Sequence, residues 1–210
     1  MPKRSVKFEQ GGYYHLYNRG AGRQPIFRQE RNYWYLLRLM SKVARECDHT
    51  IVAYSLLPNH YHWFVRQDGE ISISRLPQRV FGSYTQALNL AISRRGTLFE
   101  DRFDAIKVET IDYQLNLCRY IHANPVLHGL AAAPELWPYS NYLDWIGQRP
   151  GNLIDRAFVQ THFPEPGQYS SYVNSYLINR SSLPPGLKTY LARLEQPSRP
   201  SSNPPPQNPR

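Results

Sequence analysis

Cysteine is scarce in this sequence, which argues against a fold held together by disulfide bonds. Only two of the 210 residues are cysteines, Cys47 and Cys118, and they form no C-x-x-C pair. Both lie in helix-like apolar patterns, which favours buried free thiols in a reducing compartment over a disulfide framework. Hydrophobic runs are also short, since none approaches the roughly 20 residues that a membrane-spanning helix needs. The basic start has no apolar segment behind it and does not resemble a signal peptide. We therefore expect a cytoplasmic protein that does not contact the membrane.

Acidic residues are outnumbered, whereas aromatic residues are plentiful. The 25 Lys and Arg residues against 16 Asp and Glu give a net charge of +9, and the chain carries 16 Tyr, 8 Phe and 4 Trp. Arginine suits phosphate recognition, and aromatic rings can stack on the unpaired bases of single strands. Charge alone favours a nucleic-acid partner only modestly, because many basic proteins are merely soluble.

The pattern of apolar residues predicts an α+β fold. Short β-prone segments bounded by turn residues indicate strands, and apolar residues three and four apart indicate helices. The order strand, helix, strand, strand, helix, strand is that of a ferredoxin-like split β-α-β antiparallel sheet. Helices then cover one face, the other face is left free for a ligand, and one extra helix follows. The predicted strands are 13–18, 51–56, 60–65 and 98–108, with Pro58-Asn59 as the turn before the third, and the predicted helices are 29–47, 73–94 and 112–123.

Two histidines stand two residues apart in the third predicted strand. Side chains alternate along a strand, so His60 and His62 share one face while Tyr61 points to the other and should be buried behind the sheet. Two imidazoles side by side on a rigid strand can bind one divalent cation and leave room for further ligands. An H-x-H pair can also arise by chance in a chain with seven histidines.

The extra helix carries a tyrosine and an asparagine four residues apart. Tyr120 and Asn124 therefore lie on one face, one turn from each other. Taken alone, Tyr120 suits a core aromatic, and Asn124 before Pro125 suits a helix end. Tyr113 shares roughly the same face and is a competing candidate, but Leu117 stands four residues after it.

These segments together resemble a known family. The opening Tyr14–Gly20, Pro58-Asn59 before the histidine pair, Arg119–Val126 and Trp137–Ser140 are similar to the HUH single-tyrosine transposases. Among them the sequence most resembles the REP-associated tyrosine transposases of bacteria. The resemblance covers residues 10 to 146 and implies a transposase domain over 1–146. It does not cover 147–195, a C-terminal extension of uncertain structure, or 196–210, a Pro- and Ser-rich tail predicted to be disordered.

The resemblance implies a chemistry for the site. His60, His62 and Asn124 would hold Mg²⁺ or Mn²⁺, and Tyr120 would be the nucleophile that forms a covalent 5′-phosphotyrosine on DNA. The partner would be single-stranded or hairpin DNA in the nucleoid, and the protein would act as a monomer or a homodimer. Phosphate contacts from arginine would fix the register of the DNA. The candidate DNA-binding residues are Arg19, Arg23, Arg28, Arg75, Arg79, Arg94, Arg95 and Arg102.

Two other functions remain open at this stage. A domesticated descendant could hold hairpin DNA or RNA without cutting it, because ferredoxin-like sheets with aromatic residues bind single strands. A hydrolytic metalloenzyme acting on a small phosphate ester would use water in place of Tyr120. The C-terminal extension could also fold over the site and gate it, in which case deletion after residue 150 would raise cleavage. No residue is assigned as the base that activates Tyr120, since His122 points elsewhere on its helix.

Overall fold

The computed structural model describes residues 6–99 and 101–179. Its helices and strands alternate as the sequence predicts through the first two-thirds of the chain. In chain order the elements are β1 (Tyr13–Arg19), α1 (Glu30–Glu46), β2 (His49–Leu57), β3 (His60–Gln67), α2 (Arg75–Ala91), β4 (Asp104–Lys107), α3 (Ile111–Leu127), α4 (Tyr142–Trp145), α5 (Arg156–His162) and α6 (Gln168–Ile178).

The four strands form one antiparallel sheet in the order β2-β3-β1-β4. This is the strand order of a ferredoxin-like split β-α-β fold, so the predicted α+β fold class is confirmed. The histidine strand β3 lies between β2 and β1 and is hydrogen bonded to both. Its register is therefore fixed from two sides.

One face of the sheet packs on α1 and α2. Tyr14 of β1 and Tyr61 and Trp63 of β3 point to this face and are fully buried. Fully burying a large apolar side chain contributes roughly 2 to 3 kcal/mol, so these aromatics are a large part of the core. Helix α1 begins at a capping box in which the Gln29 and Asn32 side chains each accept from the other's backbone N–H.

The opposite face, which was expected to be free for a ligand, is covered by α3 and the C-terminal helices. Val52 and Phe64 of the sheet pack with Leu117 and Ile121 of α3. When both faces of a sheet are covered, the side chains that point to either face must be buried. Strands β2 and β3 accordingly are buried along almost their whole length. The site described below therefore lies within this layer instead of on an open surface.

Two predicted boundaries were wrong. Helix α3 does not end at residue 123 but continues to Leu127 with Pro125 inside it. Its last turn is closed by the N–H groups of His128 and Leu130, which donate to the carbonyls of Asn124 and Pro125. Strand β4 is much shorter than 98–108, because Phe99 instead forms a bridge with Gly20 beyond the end of β1.

The C-terminal helices pack on α3. The Arg119 guanidinium carbon lies 4.5 Å from the ring centre of Tyr172 and 4.8 Å from that of Tyr176, both on α6. Val173 of α6 is fully buried in the same cluster as Ile121. Short helices were predicted within 153–164 and 169–194; α5 lies within the first range, and α6 covers the start of the second. Residues 180–210, including the tail predicted at 196–210, lie outside the described residues.

Cys47 and Cys118 are both free and buried, as predicted. The two thiols lie in different clusters, one on each face of the sheet. Of the helices in the described part of the chain, none is long and apolar enough to cross a membrane.

Candidate active site

Strand β3 presents both histidines to α3. His60 and His62 lie on the α3 face of the sheet and are 7% and 2% exposed. Tyr61 points to the other face, where its ring stacks on Phe81 of α2 at 4.5 Å. The alternation predicted from the sequence therefore places the two imidazoles side by side, with ring centres 5.3 Å apart.

Asn59 fixes the protonation of His60. The Asn59 Nδ2 donates to the Arg23 carbonyl at 3.3 Å, which turns its Oδ1 toward His60 Nδ1, 2.7 Å away. Because an amide oxygen can only accept, His60 carries its proton on Nδ1 and keeps a lone pair on Nε2. Burial is the largest of the effects that lower the pKa of His60 to about 3, and the neighbouring His128 and Arg19 side chains act in the same direction, so the ring is neutral at pH 7.

Asn124 faces that lone pair from α3. Its Oδ1 lies 3.3 Å from His60 Nε2, and the residue is fully buried. Its Nδ2 meets no hydrogen-bond partner among residues 6–99 and 101–179. Two lone pairs that point at each other repel unless a proton or a cation lies between them. Neighbouring ligands of an octahedral Mg²⁺ lie about 3 Å apart, so this pair of atoms has the spacing of two cation ligands.

His62 is hydrogen bonded to a third histidine that the sequence analysis did not assign. His62 Nδ1 lies 3.0 Å from Nε2 of His15, a fully buried residue of β1. Burial lowers the pKa of His15 to about 3 and that of His62 well below its ordinary value, so both rings are neutral. The sequence did contain a signal, because Tyr13, His15 and Tyr17 alternate in β1 and must share one face. Only the pairing of β1 with β3 shows that this is the face of the histidine pair.

Of the two candidate tyrosines on α3, Tyr120 is the one whose ring contacts the histidine pair. Its ring stands nearly perpendicular to that of His62, with centres 5.5 Å apart and an interplanar angle of 77°. The competing candidate Tyr113 lies about two turns earlier on α3, where it is half-buried and burial raises its pKa. Tyr120 is itself only 3% exposed, so a substrate can reach it only if some covering group moves.

His122 serves the packing of α3. Its Nε2 donates to Asn141 Oδ1 at 2.8 Å, and its Nδ1 accepts from the Tyr169 hydroxyl at 2.5 Å. The direction is fixed because Asn141 Oδ1 also accepts from the backbone N–H of Tyr54. Burial lowers the pKa of His122 to about 4. This placement agrees with leaving His122 out of the catalytic residues.

Two basic side chains lie at the edge of the site. Arg19 ends β1 directly across from His60 in the strand register. His128 caps the C-terminus of α3, is exposed, and has its ring centre 5.0 Å from that of His60. His128 was not predicted as a site residue, because its approach to His60 depends on α3 continuing through Pro125.

The other candidate DNA-binding arginines are spread over the surface. Arg23 and Arg102 lie near the end of β1 that faces the site. The carbonyl of Arg23 accepts a hydrogen bond from Asn59. Arg102 follows Asp101, whose carbonyl accepts a hydrogen bond from Asn18. The remaining five lie on the α1 and α2 side of the sheet or in the loop after α2, and Arg79 is paired with Glu46. These five are Arg28, Arg75, Arg79, Arg94 and Arg95.

The donor set fits a divalent cation. Two imidazole nitrogens and one amide oxygen accept Mg²⁺ or Mn²⁺, and Mn²⁺ is the better match to nitrogen. In the described part of the chain, no three His, Cys, Asp or Glu side chains cluster closely enough to hold an ion. An ion at this site would therefore depend on the Asn124 amide and on oxygens from outside the protein.

The fold and the site define a class: a split β-α-β sheet whose H-x-H strand lies under a helix carrying a tyrosine and an amide one turn apart. A sequence profile described as "Transposase IS200 like" matches residues 9–124, more than half of the chain. The chain therefore belongs to the IS200-like transposase family, and the predicted relationship is confirmed.

Two solved structures are similar to this chain. A REP-associated tyrosine transposase bound to a REP hairpin is 21% identical with a TM-score of 0.58, and the match covers 74% of this chain and 94% of that one. This likeness confirms the fold. A candidate transposase from Deinococcus radiodurans R1 is 14% identical with a TM-score of 0.40, over 63% of this chain and 99% of that one. Among curated proteins, none matches the sequence.

Proposed function

We propose that the protein is a metal-dependent enzyme that nicks and rejoins single-stranded DNA, with Tyr120 as its nucleophile. The observation that carries this proposal is the 3.3 Å approach of Asn124 Oδ1 to His60 Nε2 beside a tyrosine that contacts His62. A packing role for these groups would not explain why a buried amide leaves its Nδ2 without a partner in the described residues. Membership of a transposase family supports the same reaction class.

The reaction is a phosphoryl transfer that conserves bond energy. The Tyr120 Oη attacks the scissile phosphorus, the P–O3′ bond breaks, and a 5′-phosphotyrosine and a free 3′ hydroxyl result. The phenol loses its proton and the departing 3′ oxygen gains one, so atoms and charge balance. A 3′ hydroxyl can later attack the phosphotyrosine, which reseals the strand and releases Tyr120. No water is consumed.

A divalent ion held by His60, His62 and Asn124 would neutralise the scissile phosphate and polarise it. The protein itself holds the two imidazoles neutral at pH 7, because burial lowers the pKa of His60 to about 3 and that of His62 well below its ordinary value. Both rings are thus ready to offer lone pairs without first losing a proton. The pKa of an ordinary phenol is near 10, so the deprotonation of Tyr120 needs help from the bound ion or a base.

We propose hairpin DNA with an adjoining single strand as the substrate, bound in the cytoplasm at the nucleoid by a monomer or a homodimer. The structurally similar transposase is bound to a REP hairpin, which supports this choice. Arg19 is the best-placed phosphate contact, because it lies across from His60 at the edge of the site. Arg23 and Arg102 lie in neighbouring loops, and the other five arginines are more distant candidates.

One observation favours a second function. Tyr120 is only 3% exposed, which suits a protein that binds hairpin DNA or RNA and no longer cuts it. The two functions differ in the covalent intermediate: a binding protein forms none.

A covalent-capture experiment tests the proposal. Wild-type protein is incubated with labelled hairpin DNA that carries an adjoining single strand, with Mn²⁺ or with EDTA, and a denaturing gel is examined for a protein–DNA adduct. We expect an adduct that needs Mn²⁺, is lost in Tyr120→Phe and persists in the matched variant Tyr113→Phe. An adduct that survives in Tyr120→Phe would show that another residue is the nucleophile. Tight binding without any adduct would favour the binding protein.

A further inference from the structure

His15 stands directly behind one of the two proposed metal ligands. It is fully buried on β1, and its Nε2 lies 3.0 Å from Nδ1 of His62. Within residues 6–99 and 101–179, no group of three His, Cys, Asp or Glu side chains is arranged to hold one metal ion, so His15 does not join His60 and His62 as a third ligand. His15 therefore acts on the site through His62 if it acts at all.

The hydrogen bond between the two rings has consequences for metal binding. Because His62 Nδ1 is occupied by His15, only its Nε2 remains to bind an ion. A neutral imidazole carries one proton, so Nε2 offers a lone pair only when that proton is on Nδ1. His62 must then be the donor and His15 Nε2 the acceptor. The reverse direction would put the proton on His62 Nε2 and block the ligand.

We propose that His15 is a positioning residue: it accepts the Nδ1–H of His62 and thereby keeps His62 Nε2 free to bind a divalent cation. This inference rests on the proposed function, in which His62 is a ligand. The neighbouring histidine is prepared in the same way, because Asn59 Oδ1 accepts the Nδ1–H of His60 at 2.7 Å. Each of the two ligands thus has its own acceptor behind it.

The fold holds His15 in place for this role. Strands β1 and β3 pair along seven residues, with Tyr17 across from His62. The His15 ring packs against both, with ring centres 5.2 Å from Tyr17 and 5.2 Å from His62. A hydrogen-bonding partner of this kind fixes the tautomer and the orientation of a ligating histidine.

The tautomers can be measured without any metal. Long-range ¹⁵N–¹H correlation spectra of the metal-free wild-type protein distinguish a protonated Nδ1 from a protonated Nε2. We expect His62 and His60 to carry the proton on Nδ1, and His122 to carry it on Nε2 because it donates to Asn141 there. A His62 ring protonated on Nε2 would overturn the proposal, whatever the activity of the protein.

Variants test the consequence for metal binding. His15→Phe keeps a ring against Tyr17 but removes the acceptor, whereas His15→Gln keeps an acceptor oxygen. We expect His15→Phe to weaken Mn²⁺ binding by about 10- to 100-fold, and His15→Gln to restore it to within a few-fold of wild type. His49→Phe is the control, since it removes a buried histidine at the far end of β2, where Nε2 bonds to the Ile71 carbonyl.

Calorimetric titration with Mn²⁺ and circular dichroism would be recorded for each variant. A folded His15→Phe protein that binds Mn²⁺ as tightly as wild type would contradict the proposal. If the wild-type protein bound no Mn²⁺, the proposed function would fail, and the tautomer spectra would still determine the direction of the bond between His15 and His62.

Discussion

Two fully buried asparagines show how differently single residues can be used in this protein. Asn141 is completely satisfied: its Oδ1 accepts from the Tyr54 N–H and from His122, and its Nδ2 donates to the Val52 and Leu153 carbonyls. Asn124 has one polar neighbour, His60 Nε2, and an Nδ2 that finds no partner in the described ranges. A satisfied buried amide stabilises a fold, whereas an unsatisfied one costs roughly 1 to 3 kcal/mol. We infer that Asn141 is there for stability and Asn124 for function.

Replacing each asparagine by leucine separates these roles. Asn124→Leu removes an unsatisfied buried group, so the free energy of unfolding should not fall, while Mn²⁺ binding and the covalent adduct are lost. Asn141→Leu leaves four partners without a bond and should cost roughly 4 kcal/mol. Urea denaturation and covalent capture on both variants provide the comparison. A large loss of stability in Asn124→Leu would assign that residue to the fold instead.

The proposed site residues were accessible from sequence spacing, whereas their partners were not. The spacing of two in a strand and of four in a helix puts His60 beside His62 and Tyr120 beside Asn124 by geometry alone. His15 lies 47 residues before His62, and only the register of β1 against β3 brings the two together. A residue that contacts a ligand only through another side chain can be identified from the structure, because no fixed sequence spacing links it to the ligand residue.

At the scale of elements, α3 is held from both sides. One side packs on the sheet and carries the candidate site, and the other contacts α6 through Arg119, Tyr172 and Tyr176. His122 connects α3 to α6 as well, through the hydroxyl of Tyr169. The sequence predicted a short helix within 169–194 and left open whether the C-terminal extension folds over the site. It did not predict that α6 packs on α3, because α6 has weak amphipathic periodicity and its partners are far away in the chain.

Deletion after residue 150 should therefore unfold the protein instead of raising its cleavage. The deletion removes α5 and α6. With them go four buried side chains from the hydrophobic cluster on the α3 face of the sheet: Phe158, Tyr169, Val173 and Tyr176. Fully burying such side chains contributes roughly 1.5 to 3 kcal/mol each, together comparable to the net stability of a typical domain. Circular dichroism melting measures the effect, and deletion of 196–210 is the control. A truncated protein that melts like wild type and cleaves faster would support gating by the extension.

At the scale of the whole molecule, the buried histidines make stability depend on pH. Burial lowers the pKa of His15 and His60 to about 3 and that of His122 to about 4, from an ordinary value of 6.5. As the pH falls below about 6.5, these histidines take up protons in the unfolded chain but stay neutral in the folded chain. Their contribution to the free energy of unfolding is therefore fully present above that pH and is lost as the pH falls toward the folded-state pKa values.

Urea denaturation at pH 7 and pH 5 should show this loss. Each of the three histidines contributes about 2 kcal/mol to the difference, so the sum is several kcal/mol. His122→Gln, which can still bond to Asn141 and Tyr169, should shrink the difference between the two pH values by about 2 kcal/mol. Equal stability of the wild-type protein at pH 7 and pH 5 would contradict this account.

The central position of β3 has a consequence for how this gene can change over generations. Side chains alternate along the strand, so a single codon inserted or deleted inside β3 would exchange the two faces of the strand residues that follow it. A codon inserted after His60, for example, would turn His62 toward the aromatic core behind the sheet, and would turn Tyr61 and Trp63 toward the candidate site. Because β3 pairs with both β1 and β2, neither neighbour can shift to compensate. Descendants of this chain can therefore vary in residue type here, but the length of β3 is bound to stay constant.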